Sequence, residues 1–244
     1  AGLSAFQWFG SARCAPKRDS LQMSAEFTEL RVKMVDGQLR TTDVTNASLL
    51  AAFLSVPREL FVDETLRDLA YIDEDIRIAA GEGGPRFLME PSPLARLLQL
   101  AEIQPADSVL DIGCGTGYSA AILSKVAGSV TALENDPVLA GKALDTLAAL
   151  GCGNVTVVEG ELWEGWKAAA PYDVIVLEGS VDELPESLHE QLAEGGRLVA
   201  VEGRGNAGIA KVFLKTNGVV TGRRAFNAAI RPLPGFERSK VFEF

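Results

Sequence analysis

The chain has 244 residues, 47% of them hydrophobic, with mean hydropathy +0.13. That is enough to bury one sizeable core and too little for a second independent domain of similar size. A formal net charge of -10, with no Lys/Arg run longer than two residues, lacks the basic footprint a nucleic-acid-binding surface needs, and no apolar stretch approaches the roughly 20 residues that cross a bilayer. DNA and RNA are poor partners, and a soluble protein is expected.

Three cysteines, Cys14, Cys114 and Cys152, are too few for a disulfide scaffold, and none forms a C-x-x-C pair. A reducing compartment fits. His189, the single histidine, sits among Glu186, Glu190 and Gln191 and reads as a solvated helix residue. No metal site and no Ser-His-Asp triad are expected.

Residues 1–22 differ from the rest: aromatic Phe6, Trp8 and Phe9 precede basic Arg13, Lys17 and Arg18. They read as an arm, whether an expression tag, a stretch upstream of a true start at Met23, the remnant of a cleaved leader, or a native segment that packs on a partner. Residues 23–104 form a helical segment ending in a loop region, residues 105–244 form the core, and 22–244 is read as one globular unit. Phe27, Leu30, Val32 and Met34, then Leu49, Leu50, Phe53 and Leu54, carry helical spacing between Ser24 and Leu66. Thr45 or Asn46 caps the second helix and Pro57 ends it. A glycine-rich loop, 81–85, follows, and Pro93 opens another helix.

After Pro105, β-rich and helical runs alternate, the signature of a parallel sheet wrapped by helices. Strands are expected at 108–113, 129–134, 155–160, 172–178 and 197–203, with helices at 118–126, 137–150 and 185–192. Asn217-Gly218, between 209–216 and 219–228, predicts a two-residue hairpin. The fold class is therefore α/β: a Rossmann-like, doubly wound, mostly parallel seven-stranded sheet with a C-terminal antiparallel hairpin and an N-terminal helical subdomain.

The most informative string is Val109-Leu-Asp-Ile-Gly-Cys-Gly-Thr-Gly-Tyr118, a hydrophobic strand running into Gly113-x-Gly115-x-Gly117 and then a helix. Glycines let the backbone approach a ligand, and the helix start offers unpaired N–H groups. A dinucleotide turn is spaced G-x-G-x-x-G and holds a pyrophosphate, which Asp111 would repel; this spacing and this acid suit a ligand carrying an ammonium and a sulfonium. Glu134, ending the second strand, is placed to accept both ribose hydroxyls of a nucleoside, and Glu161 and Leu162, after Gly160, to accept the adenine amino group and cover its ring. A plain structural reading stays open for each: Asp111 as a loop-tying acid, Glu134 and Glu161 as surface acids.

These features resemble the class I S-adenosylmethionine-dependent methyltransferases, and Glu194-Gly-Gly-Arg-Leu-Val199 resembles that superfamily's turn into its fifth strand. The resemblance implies S-adenosyl-L-methionine as cofactor, S-adenosyl-L-homocysteine as product, and a donor site of Asp111, Gly113, Cys114, Gly115, Gly117, Tyr118, Glu134, Asn135, Gly160, Glu161, Leu162 and Glu178. A narrower resemblance comes from Met34-Val-x-x-Gln-Leu39, Asp43, Val56-Pro-Arg-Glu-Leu-Phe-Val62 and Ala70-Tyr-Ile-Asp73, with Leu150-Gly, Asn154-Val, Gly165-Trp166 and Pro171-Tyr-Asp173 later. In order and spacing they are similar to the protein-L-isoaspartate O-methyltransferases, over about residues 30–230. That family methylates the carboxylate of an isoaspartyl residue in a damaged protein or peptide, a step in protein repair. A carboxylate is already a nucleophile, so alignment and water exclusion suffice and no histidine is required.

One departure stands out. The family's acceptor loop reads Gly-x-Thr-Ile-Ser-Gln-Pro, and this chain has Gly84-Pro-Arg-Phe-Leu-Met-Glu-Pro91. Met89 stands in place of the serine and cannot donate a hydrogen bond, Glu90 puts a charge near an anionic acceptor, and Glu178 adds another acid after the fourth strand. Arg86 either pairs with the acceptor carboxylate or is a solvated loop residue. Asp111, Arg86 and Met89 are the catalytic candidates. Three readings follow: a protein carboxyl methyltransferase; a catalytically silent S-adenosylmethionine-binding homologue, a pseudoenzyme serving as a structural or accessory subunit of a larger assembly, with the arm as its docking segment; and a dehydrogenase with an atypical loop. Cytoplasm is the expected location, or the mitochondrial matrix if 1–22 remain from a leader.

Overall fold

The computed structural model describes residues 18–80 and 84–237, with side chains from residue 25 onward. The aromatic arm at Phe6–Phe9 and most of the glycine-rich loop lie outside the described residues. In chain order the regular elements are α1 (Arg18–Met34), α2 (Ala47–Ser55), β1 (Ile76–Ala79), β2 (Arg86–Leu88), α3 (Pro91–Leu100), β3 (Ser108–Ile112), α4 (Tyr118–Leu123), β4 (Ser129–Glu134), α5 (Pro137–Ala149), β5 (Val155–Glu159), β6 (Tyr172–Val181), α6 (Glu186–Glu190), β7 (Leu192–Glu202), β8 (Ile209–Thr216) and β9 (Val219–Asn227).

The seven-stranded sheet has the order β5-β4-β3-β6-β7-β8-β9, parallel from β5 to β7 and closed by two antiparallel pairings. Its central strands are apolar on both faces, as a sheet covered on both sides requires. Val109, Val174, Val176 and Val199 join α2 to α5 in one core, whereas Leu110, Ile112, Ile175, Leu177 and Leu198 join Leu162, Leu188 and Leu233 in the other. The first face carries the longer helices; the second is covered by α6, short 3-10 turns and the C-terminal segment.

Most boundaries follow local chemistry. Asn46 caps α2 through Leu49 N–H at 3.0 Å, Asp136 caps α5 through Val138 and Leu139 N–H, and Asn217 and Gly218 adopt φ 53° and 77° in the tight turn between β8 and β9. Helix α3 begins at Pro91, two residues before the expected Pro93, because Pro91 already supplies a first-turn residue needing no N–H partner. β7 begins at Leu192, five residues before Arg197: Leu192 pairs with Tyr172 ahead of the glycine kink at Gly195 (φ 77°), and regular pairing resumes at Arg197 with Val174. β6 runs past Glu178 to Val181 because Ser180 bonds the backbone of Arg231 and Leu233. The antiparallel pair β1–β2 is not among the expected strands; each is a run of at most four residues whose partner lies across the loop.

His189 is a correction. Its side chain is only 17% exposed and its ring lies 5.6 Å from that of Phe213, so it packs on the sheet instead of pointing into solvent. Among the described residues no helix is long and apolar enough to cross a membrane.

Candidate functional site

The carboxyl ends of β3, β4 and β6 meet where β3 runs into the glycine turn. Gly113, Gly115 and Gly117 have φ of 80°, 57° and 93°, which L side chains rarely adopt. The turn is stitched to β4 by Gly113 N–H and Cys114 N–H donating to Leu133 O at 2.8 and 3.2 Å, and Gly117 stands at the start of α4, where a Cβ would press on Ala143 and Leu147 of α5 at 3.1 Å. Cys114 is buried there, and burial pushes its thiol further toward the neutral form.

Glu134, fully buried at the end of β4, faces this turn. Its Oε1 accepts from Asn135 N–H at 2.9 Å and Asp136 N–H at 3.1 Å, and its Oε2 from Gly115 N–H at 2.7 Å. Arg86 adds a bidentate ion pair, Nη1 on Oε1 and Nη2 on Oε2, the latter at 2.8 Å. The same guanidinium donates to Gly113 O at 3.1 Å and Asn135 Oδ1 at 2.9 Å. With 4% of its surface exposed, Arg86 is no solvated loop residue.

Asp111 projects from β3 beside it. Ser119 Oγ donates to its Oδ2 at 2.7 Å, while its Oδ1 and Glu178 Oε1 are buried with no hydrogen-bond partner of ordinary geometry. Burial pushes the Asp111 carboxyl up to about 7, against the lowering effect of the Ser119 and Glu178 hydrogen bonds, with the Glu134 charge raising it further. Glu178 is also pushed well above the usual carboxylate range, through burial and then the adjacent Asp111 charge. Burial holds back the charge on both of these facing acids.

The remaining expected residues divide. Asn135 is at the site through Arg86, and Gly160 abuts it, donating its N–H to Glu134 O at 3.1 Å. Leu162 is buried in the core among Leu110 and Leu133. Glu161 is exposed and, with Gly160, Trp163, Trp166 and Lys167, lines a groove of about 360 Å³ that begins beside Glu134. Tyr118 turns away from the glycine loop: its ring is fully buried, 5.3 Å from Phe61 and 6.2 Å from Phe53, with the Arg58 guanidinium 4.7 Å above it. The first residue of α4 points to the helical subdomain because the α4 surface there is buried against α2.

Met89 is buried in the core, so it offers a thioether where a hydroxyl would be expected. Glu90 sits among Asp73, Glu74 and Asp75; partial burial, then those charges, push its carboxyl up to about 7. Arg231 pairs with Asp75 at 3.2 Å and lies 4.9 Å over the Phe87 ring. Two residues outside the expected set are central. Arg58, fully buried, donates to Ala70 O and Met89 O, both at 2.7 Å, and so ties the acceptor loop to the helical subdomain. Leu233 lies on Gly113 and Gly179, where a Cβ would come within 2.6 and 2.7 Å of it. Arg58 is visible in the Val-Pro-Arg-Glu string; nothing local marks Leu233.

Known proteins agree with this architecture. The protein-L-isoaspartate(D-aspartate) O-methyltransferase family model matches residues 31–235. A protein-L-isoaspartate O-methyltransferase 1 from Rhodopseudomonas palustris (strain HaA2) is 42% identical over 176 residues, 72% of this chain and 70% of that protein. A protein-L-isoaspartate O-methyltransferase 2 from Anaeromyxobacter sp. (strain Fw109-5) is 37% identical over 209 residues, 85% of this chain and 84% of that one. A solved protein-L-isoaspartate O-methyltransferase superposes with TM-score 0.74 at 27% identity over 84% of this chain, which spans 66% of that longer one. A Plasmodium falciparum structure described as a putative member in complex with S-adenosyl-L-homocysteine has the same fold, at TM-score 0.69 and 21% identity, covering 85% of this chain and 97% of that one. From the glycine turn and its facing acid to the fold around them, the chain belongs to the protein-L-isoaspartate(D-aspartate) O-methyltransferase family.

Proposed function

We propose that this chain is an S-adenosylmethionine-dependent protein carboxyl methyltransferase whose acceptor is an isoaspartyl carboxylate in a damaged protein or peptide. The observation that carries this reading is the placement of Asp111, the three left-handed glycines and Glu134 at one sheet edge, in a fold matched by the family over residues 31–235. The donor set fits the cofactor in kind. The buried Asp111 and Glu178 face each other and leave Oδ1 and Oε1 without a donor, which suits a cationic ligand, and Glu134 suits vicinal hydroxyls. When bound, the cofactor supplies a methyl group on a sulfonium.

The chain's own residues bind, orient and exclude water. The acceptor oxygen is already nucleophilic, so no proton has to be removed and no histidine is needed. Arg58 fixes the Met89 carbonyl and with it the strand that approaches the site, and Met89, Phe87 and Leu233 leave space for little water beside it. With Arg86 engaged by Glu134, the other cation beside that space is Arg231, which an incoming carboxylate would share with Asp75, and Glu90 opposes one less once it is protonated.

A second reading, a silent homologue serving as a subunit of an assembly, is favoured by two observations: Arg86 holds Glu134, and Met89 offers no hydroxyl. Incubation with labelled S-adenosylmethionine and an isoaspartyl peptide separates the two. Base-labile methyl incorporation above that of an Asp111→Ala control supports the enzyme; cofactor binding without transfer supports the silent subunit.

A further inference from the structure

We infer that Arg86 is a built-in occupant of the donor site, competing with the adenosyl ribose for Glu134, so that the donor enters only when the acceptor strand β2 gives up this ion pair. The inference rests on the donor site proposed above. A carboxylate has about four lone-pair directions. Glu134 already takes five donors: the N–H groups of Gly115, Asn135 and Asp136 and two from Arg86. The backbone donors belong to the turn itself and stay. Only the two from Arg86 can be exchanged for two ribose hydroxyls.

The rest of the site is closed in the same way, by side chains from three separate segments. Leu233 lies against Gly113 and Gly179, Ile78 Cδ1 comes 2.8 Å from where a Cβ of Gly115 would be, and Arg86 Nη2 is 3.3 Å from that of Gly113. Gly113 and Gly115, whose bare backbone would face a ligand, each face one of these side chains instead. Leu233 is held in place by its N–H on Ser180 O at 2.9 Å, and Ser180 N–H bonds Arg231 O at 2.9 Å. On the acceptor side of Arg86, the cavity between Arg86, Met89, Glu178 and Leu233 is about 10 Å³, room for a single water.

Arg86 opens β2, three residues before Met89 and within the acceptor loop itself. A ligand that draws Arg86 away therefore also shifts the strand bearing Phe87 and Leu88, and by linkage an acceptor that displaces this strand favours donor uptake.

The test is calorimetric titration of the whole protein, its Arg86→Gln variant and its Leu233→Ala variant with S-adenosyl-L-homocysteine, adenosine and 2′,3′-dideoxyadenosine, with near-UV circular dichroism as the check on folding. The expected result is that both variants bind S-adenosyl-L-homocysteine at least tenfold more tightly than the parent, and that the gain in Arg86→Gln extends to adenosine and is lost with the dideoxynucleoside. If Arg86→Gln does not fold, the Leu233→Ala gain decides. Parent binding as tight as that of the folded variants overturns the plug and leaves the donor reading standing. No binding by any of the three proteins overturns both.

Discussion

Arg58 donates from Nη2 to the carbonyl of Met89 and from Nε to that of Ala70, each at 2.7 Å, with its guanidinium over the Tyr118 ring. One fully buried arginine thus joins the helical subdomain, the acceptor strand and the first turn of α4. Arg58→Ala removes two charge-assisted hydrogen bonds and strands two buried carbonyls, and a loss of about 3–5 kcal/mol is expected from the scale of such losses. Arg58→Lys recovers only part, since an ammonium lacks the fork that spans both carbonyls. Urea denaturation of the three proteins measures the order.

The Arg86–Glu134 pair predicts an asymmetry. Glu134→Gln leaves a guanidinium buried without its counter-charge, costing about 3–5 kcal/mol. Arg86→Gln leaves a carboxylate that still accepts from Gly115, Asn135 and Asp136 N–H, so the loss is smaller. Equal denaturation midpoints for the two variants would contradict this arrangement.

Stability should fall with rising pH between about 4 and 7. Asp111 and Glu178 hold their folded values above the unfolded ones, so in this window the folded chain binds protons that the unfolded chain, ionising near pH 4, has released. Their contribution is fully present below the unfolded value and lost as pH rises through the folded value, near 7 for Asp111. Glu178→Gln keeps a hydrogen bond to Asp111 without a titrating proton, and removes up to about 1.4 kcal/mol per pH unit of slope. Thermal melts from pH 5 to 8 read the difference.

At the hairpin, Gly218 has φ 77° and nothing lies within 4 Å of the point a Cβ would occupy. Gly218→Ala therefore costs only backbone strain, about 1 kcal/mol, with cofactor affinity unchanged. A drop of several kcal/mol in a denaturation curve would mean that the substitution also breaks the turn's bond to Glu194, which accepts from Gly218 N–H at 3.1 Å.

The central strands were legible because a parallel strand covered on both faces is a short apolar run, and Val109–Ile112 and Val174–Leu177 are bounded by glycine or charge. Glu134 and the glycine turn were legible from spacing. The orientation of Tyr118, the burial of His189 and the partner of Arg86 depend on segments far away in sequence: Phe53 and Phe61, Phe213, and Glu134. Arg86 reads either as a partner of the acceptor carboxylate or as a solvated loop residue because β1 and β2 are too short to carry a strand pattern, and Leu233 escapes because a lone leucine after a proline has no period.

The most direct measurement is the nitrogen-15 spectrum of the Arg86 guanidinium, assigned by its disappearance in Arg86→Gln, during titration with S-adenosyl-L-homocysteine. Bidentate pairing with Glu134 slows rotation and separates the Nη–H signals. The account predicts that they collapse toward the free-arginine pattern in proportion to ligand bound. Saturation of the protein with those signals unmoved would contradict it.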